Sequence, residues 1–401
     1  MLTLKDLSSD SRYLVAVSGG PDSMALLDMC RRMSFYIEAA HVNYHKRSTA
    51  DRDEKIVRDY CDKYNIVFHK LDYKDNSRGN FQAKARKARY AFFHEVCSRN
   101  KLDFVLVAHQ KDDLLETYLM QKEKKLGVDY YGLKQINEIY GAKVIRPLLD
   151  LDKNDLLVYC KENAVPYGID ESNLQDDYTR NCIRHHQLEQ MTAEQKRRIC
   201  EEIDNLNQDN ETLFKQAYNE LYDSRLSVEE FVSCKGLKLF LSRCFPHHSE
   251  SFLDEMIRQL SMCERCIYQG EGLYIVKEYD YIDIFPERKE YEFVIRDLHD
   301  IKDIRNEYCC LDFKGRSTEG VTVVDADFPL TLRSSKADDQ IRMRYGHKKL
   351  NRFFIDRKIA YKDRLIWPVL LNSQGEVILV PLLGCSCDHY SDNHNIFVIK
   401  L

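Results

Sequence analysis

The sequence of 401 residues predicts an α/β protein: a doubly wound, mostly parallel sheet, followed by a helical middle domain and a small α+β C-terminal domain. Three observations carry this. Short apolar runs rich in β-formers alternate with helical patterns through about residue 124, as parallel βαβ units require. From about Met191 the texture changes to long charged segments of helical period, and beyond Leu273 to β-rich runs such as LYIVKEYDYIDIF. At the first strand-to-helix passage stands the stretch Ser18-Gly-Gly-Pro-Asp-Ser23, where an open α/β sheet binds its ligands.

Taken in order, Tyr13–Val17 reads as a strand. The segment from Asp22 to Met33 reads as a helix, with Met24, Leu27 and Cys30 apolar and Leu26, Met29 and Met33 beside them. Between them, Gly19 and Gly20 let the backbone approach a ligand closely, and Pro21 suits the first turn of the helix. The N–H groups exposed at that helix start attract an anion, phosphate first among candidates. A tight turn capped by Ser18 or Asp22 is the plainer alternative. Neither G-x-x-x-x-G-K-[ST] nor G-x-G-x-x-G occurs here, which excludes a Walker loop and a dinucleotide fingerprint.

The alternation continues with a strand over 35–42, a charged helix over 49–64, a strand over 66–69, a helix over 82–98, a strand over 103–108 and a helix over 112–124. SGGPDS, His41-Val-Asn43 and His109 then all fall at carboxyl ends of strands, so one cleft gathers them. Asp112, Asp113 and Glu116 open the last of these helices, spaced i, i+3 and i, i+4 and so sharing a face. An acidic first turn complements the helix dipole, and beside a phosphate loop the same carboxylates suit magnesium or an amine-bearing substrate. Domains are expected at 1–190, 191–310 and 311–401.

The net charge of −5 does not advertise a nucleic-acid binder, so local patches decide. Lys84, Arg86, Lys87 and Arg89 crowd one helical segment. Arg333, Lys336, Arg342, Arg344, Lys348, Lys349 and Arg352 give the tail a basic excess. The first residues lack a cleavable apolar core and no apolar run approaches a membrane span, so a cytoplasmic chain without a membrane is expected. Fourteen cysteines with a single CxxC, Cys263 to Cys266, predict reduced thiols and no structural metal.

SGGPDS resembles the SGGxDS loop of the N-type ATP pyrophosphatases. The ordered set SGGPDS, HVNYHKR, NFQAKARKARYAFF, HQKDDLLET, IRPLLDLDK and RNCIRH, together with the tail from Leu332 to Leu370, is similar to the bacterial tRNA(Ile)-lysidine synthetases. Two departures stand out: Asn43-Tyr44 replaces an Asp-His pair common in relatives, and Lys122-Glu-Lys-Lys125 replaces a Gly-rich stretch.

The resemblance implies a two-step ligase. ATP adenylates the wobble cytidine of the CAU anticodon of isoleucine tRNA, and the ε-amine of free L-lysine then displaces AMP. It implies that Ser18, Gly19, Gly20, Pro21, Asp22, Ser23, His41, Asn43 and His109 serve ATP, with Ser18, Asp22 and Ser23 catalytic. Mg²⁺ would fall to Asp22, with Asp112 as a second candidate, and lysine to Asp113 and Glu116. tRNA or phosphate would meet Arg86, Arg89, Arg180, Asn181, Arg184, Arg333, Lys348, Lys349 and Arg352. A homodimer is left open. The alternatives are a tRNA thiolase of the same superfamily, which would want cysteines beside the ATP loop, and a non-catalytic tRNA-binding protein.

Overall fold

The computed structural model describes residues 4, 7–46, 49–74, 81–123, 128–168, 183, 187–246 and 248–401, except for the side chains of 302 and 303. Lys124, Lys125, Arg180, Asn181 and Arg184 lie outside the described residues. The chain divides into two compact units, Met1–Leu213 and Phe214–Leu401.

In the first unit, β1 (Arg12–Ala16), α1 (Pro21–Arg32), β2 (Tyr36–Asn43), α2 (Ala50–Tyr64), β3 (Val67–Asp72), α3 (Phe81–Asn100), β4 (Phe104–Val107) and α4 (Lys111–Glu123) follow the expected alternation. A hairpin of β5 (Ile136–Ile139) and β6 (Ala142–Ile145), not anticipated from the sequence, completes a six-stranded sheet of order β3-β2-β1-β4-β6-β5. All neighbours pair in parallel except β5 with β6.

Side chains of β1 alternate between two cores, which is why its sequence is apolar throughout. Tyr13 and Val15 pack with Met24, Leu27 and Cys30 of α1 and Val57 of α2. Leu14 turns to the opposite face, onto Tyr90, Phe93 and Val96 of α3. Each such side chain, taken wholly out of water, contributes roughly 1.5–3 kcal/mol. The sheet therefore holds its strand ends still at the edge where the motifs sit.

Helix α5 (Lys153–Glu162) packs against α1 through Leu156 and Cys160. The long α6 (Ala193–Leu221) sets Ile203 against Leu115 and Tyr118 of α4, and farther along contributes Ala217 and Leu221 to the core of the second unit.

That core is closed by α7 (Val228–Ser233), α8 (Leu237–Cys244) and α9 (Glu250–Met262). It rests on an antiparallel sheet of β7 (Ser224–Ser227), β8 (Arg265–Gly270), β9 (Leu273–Glu278) and β10 (Tyr281–Pro286). Ser227 and Glu230 form a capping box at the start of α7. The tail carries β11 (Glu292–Ile295), β12 (Cys309–Asp312), β13 (Gly320–Val321), β14 (Leu330–Ser334), β15 (Gln340–Met343), β16 (Gly346–Lys349) and the short helix α10 (Leu350–Asp356). Strands β14, β15 and β16 belong to one mainly antiparallel sheet over Leu332, Ile341 and Phe353. No helix among the described residues is long and apolar enough to cross a membrane.

Candidate active site

Beyond the end of β1 the backbone bends sharply at Gly19, whose φ is +92°. A Cβ there would lie 2.8 Å from Cβ and 2.9 Å from the carbonyl oxygen of Asp53, so conformation and space both require glycine. Gly20 occupies the cap position of α1 with no side-chain cap, and Pro21 follows in the first turn. The first N–H groups of the helix consequently face the loop uncapped by a side chain, which favours an anion. Ser23 stitches the turn: its hydroxyl accepts from the Ser18 N–H at 3.1 Å, donates to the Gly20 carbonyl at 3.0 Å and lies 3.1 Å from the Ser18 hydroxyl. From outside, the Gly168 N–H donates to the Gly19 carbonyl at 2.8 Å.

A cavity of about 240 Å³ opens beside this loop, lined by Ser18, Asp22, Ser23, Tyr44, Arg89, Tyr90 and His109 among others. A second, of about 280 Å³, shares Ser18 and Tyr44 and adds His41, Asn43, Asp53 and Phe81. The expected gathering of SGGPDS, the β2 end and His109 is thus what the sheet produces. His41 is buried, and its Nδ1–H donates to the Val17 carbonyl at 2.8 Å, tying the β2 end to the β1 end. Burial holds its pKa below the ordinary value, against the pull of that carbonyl. Arg89 reaches the first cavity and stands 5.2 Å over the Tyr90 ring, while Arg86 stands 5.1 Å from the same ring.

Asn43 is buried, and its amide donates to Asp51 at 3.1 Å and Glu54 at 2.9 Å. An aspartate at this position would face two carboxylates, so an uncharged amide donor suits it.

The acidic helix is built differently from its sequence reading. Gln110 caps α4: its side chain accepts from the Asp112 N–H at 2.7 Å, and Asp113 accepts from the Gln110 N–H at 3.0 Å. Asp112, the second magnesium candidate, is turned to Lys196 of α6 at 2.7 Å. Glu116 is 2% exposed. Neither Asp113 nor Glu116 lines the two cavities.

One residue the sequence reading passed over sits close by. Arg146, from the IRPLL stretch directly after β6, is buried and donates from Nε to His109 Nδ1 at 3.0 Å. The stretch IRPLLDLDK is among the motifs of the resemblance, but without a role read for its arginine; the adjacency of β6 and β4 brings it to His109.

In the tail, Arg333 is a correction. Expected on tRNA or phosphate, it is buried in β14 and grips Asp339 with both Nη atoms, at 2.9 and 2.6 Å. A strand position facing inward turns its guanidinium to internal acceptors, the Asp339 carboxylate and the Ser334 carbonyl, to which Nη1 donates at 2.8 Å. Lys348 also turns inward, 5.4 Å over the Phe353 ring, whereas Lys349 and Arg352 are exposed. The outer face of the β15–β16 hairpin carries Arg342 and His347, paired across the strands, with Arg344 and Tyr345 at its tip; Tyr345 is 93% exposed.

Among known proteins, the PP-loop domain family matches residues 2–191 and the TilS substrate C-terminal domain family matches residues 330–399. The tRNA(Ile)-lysidine synthase of Mycoplasma mycoides subsp. mycoides SC is 30% identical over 402 residues, covering 94% of this chain and 98% of its own. That of Bacillus subtilis is 30% identical over 431 residues, covering 95% and 90%. That of Ureaplasma parvum is 44% identical over 182 residues, covering 44% and 54%. With a glycine-built loop at the end of β1 and likeness running nearly the whole length of the first two relatives, the chain belongs to the tRNA(Ile)-lysidine synthase family.

Proposed function

We propose that this chain converts the wobble cytidine of the CAU anticodon of isoleucine tRNA to lysidine, in the cleft at the carboxyl ends of β1, β2 and β4. The observation that carries the reading is the loop itself: Ser18, Asp22 and Ser23 line the same cavity as His109, at an uncapped helix start. In the first step the cytidine O2 attacks the α-phosphorus of ATP, and the bond to the β-phosphate breaks to release pyrophosphate. The loop N–H groups and the Ser18 and Ser23 hydroxyls hold the phosphate oxygens where charge develops. In the second step the ε-amine of lysine attacks C2, the C2–O bond breaks, AMP leaves and the amine gives up its proton.

Asp22 fits a magnesium ion: one carboxylate on the loop that lines the cavity, with substrate phosphates completing the shell, is the donor set this cation favours. When bound, the ion neutralises the departing pyrophosphate. Asp112 is released from that role by Lys196. Asp113 and Glu116 orient the α-ammonium of lysine, a role supported by the i, i+3 spacing that sets both in the opening turns of α4, the helix that follows His109 in the chain. Arg89 serves phosphate near the cleft, and Arg86, Arg180, Asn181, Arg184, Lys349 and Arg352 contact the tRNA backbone. Three functional parts, 1–190, 191–310 and 311–401, divide catalysis from tRNA holding.

The test is direct. The protein is incubated with ATP, labelled lysine and total tRNA, and the RNA is digested. Label in a single modified cytidine is the expected result; a thiolated base, or no modified base, overturns the reading.

A further inference from the structure

The bond between Arg146 and His109 has a chemical consequence for the cleft. An arginine Nε always carries a hydrogen and never accepts, so the nitrogen it faces at 3.0 Å must offer a lone pair. His109 Nδ1 is therefore bare, and the imidazole proton resides on Nε2. The guanidinium is itself held in place: Nη1 donates to the Lys134 carbonyl at 2.5 Å, and the Tyr90 hydroxyl bonds to it. The Arg146 N–H is anchored on the Gln135 carbonyl at 2.9 Å. Its described partners are thus an imidazole, a carbonyl and a hydroxyl, which leave the buried positive charge in force behind the cavity that Ser18, Asp22 and His109 line.

We propose that Arg146 is a positioning residue for adenylation: it locks His109 in the tautomer protonated at Nε2, making His109 a standing hydrogen-bond donor to the anion in the cleft. The inference rests on the function proposed above. A donor whose tautomer is set in advance costs no reorganisation when charge builds on the α-phosphate oxygens, and the guanidinium behind it polarises its N–H. The same arrangement removes His109 from consideration as the base for lysine, since a base needs its lone pair on the cleft side. Second-tier partners that fix a histidine tautomer in this way do the same for metal-bound imidazoles.

Two measurements test it. In the full chain labelled with ¹⁵N-histidine, long-range proton–nitrogen spectra, assigned with His109→Gln, are expected to show an unprotonated Nδ1 and a protonated Nε2 at neutral pH. A proton on Nδ1, or on both nitrogens, overturns the proposal whatever the variants do. In single-turnover adenylation, Arg146→Met is expected to fall about 10- to 100-fold, with ATP affinity changed far less, and Arg146→Lys, which still donates to Nδ1, is expected to recover much of the loss. A folded Arg146→Met enzyme with wild-type adenylation also overturns it. The wrong tautomer in a chain that makes lysidine defeats this inference alone; the right tautomer in a chain that adenylates no tRNA defeats the functional reading instead.

Discussion

Lys196 Nζ lies 2.7 Å from Asp112 Oδ1, with the two side chains 19% and 15% exposed. The pair fastens α6 to α4 and gives Asp112 a structural duty. Asp112→Asn is expected to lower the unfolding free energy by about 1–3 kcal/mol in urea titrations. The magnesium concentration for half-maximal adenylation should stay at the wild-type value. A raised magnesium requirement would return Asp112 to the metal.

Gly19 admits no side chain, because its φ is +92° and the Asp53 backbone closes the space. Gly19→Ala is expected to displace the loop and cut adenylation by about 100-fold or more, as misplacing a charge-stabilising group does. AMP transfer to tRNA at the wild-type rate would show that the loop does not hold the phosphate.

Glu116 is buried on α4 next to Leu115 and Tyr118. If it holds lysine, Glu116→Gln should slow lysine incorporation roughly tenfold to a few hundredfold while adenylated tRNA still accumulates, one charge-assisted contact being worth about 1.5–3 kcal/mol. Single-turnover assays of both steps separate the cases, and equal loss of both steps would remove Glu116 from the lysine site.

Arg333 and the exposed tail cations should part company. Arg333→Met strands Asp339 in the interior and is expected to cost about 3–5 kcal/mol of stability. The triple Arg342→Ala, Lys349→Ala, Arg352→Ala variant should fold normally, because its ion pairs are exposed and weak. Its tRNA affinity should fall less steeply with salt, the slope in log–log form dropping by roughly 2 to 3. An unchanged slope would place the tRNA elsewhere.

Glu54 links the β2 end to acid stability. Burial pushes its carboxyl up, but hydrogen bonds from Asn43, Arg58 and Lys70 outweigh this and hold it at about 2. A carboxylate depressed in the folded state stabilises above its unfolded pKa, about 4.3, and that contribution disappears as pH falls toward the folded value. About 3 kcal/mol is at stake at neutral pH. Glu54→Gln is therefore expected to melt lower than wild type at pH 7, with the gap closing toward pH 2. Asn43→Asp should show the same loss at neutral pH, by setting a third carboxylate beside Asp51 and Glu54. A gap that persists at pH 2 would assign the loss to packing.

What the sequence determined by itself was whatever is local. Alternating apolar periods placed β1 to α4 to within a few residues, since period 2 and period 3.6 are properties of neighbouring positions. Gly-Gly-Pro at the first strand end marked a sharp turn suited to an anion, with a side-chain-capped turn as the plainer alternative, and of the two glycines it is Gly19, at φ +92°, whose backbone demands the residue. The tertiary structure decided what depends on which elements become neighbours. Arg146 meets His109 only because β6 lies beside β4, and Asp112 meets Lys196 only because α6 folds back on α4. Arg333 and Lys349 look alike in a basic run, yet one faces the core and the other water. A guanidinium or carboxylate takes its role from the charge and dielectric around it, and those are set by residues distant in the chain.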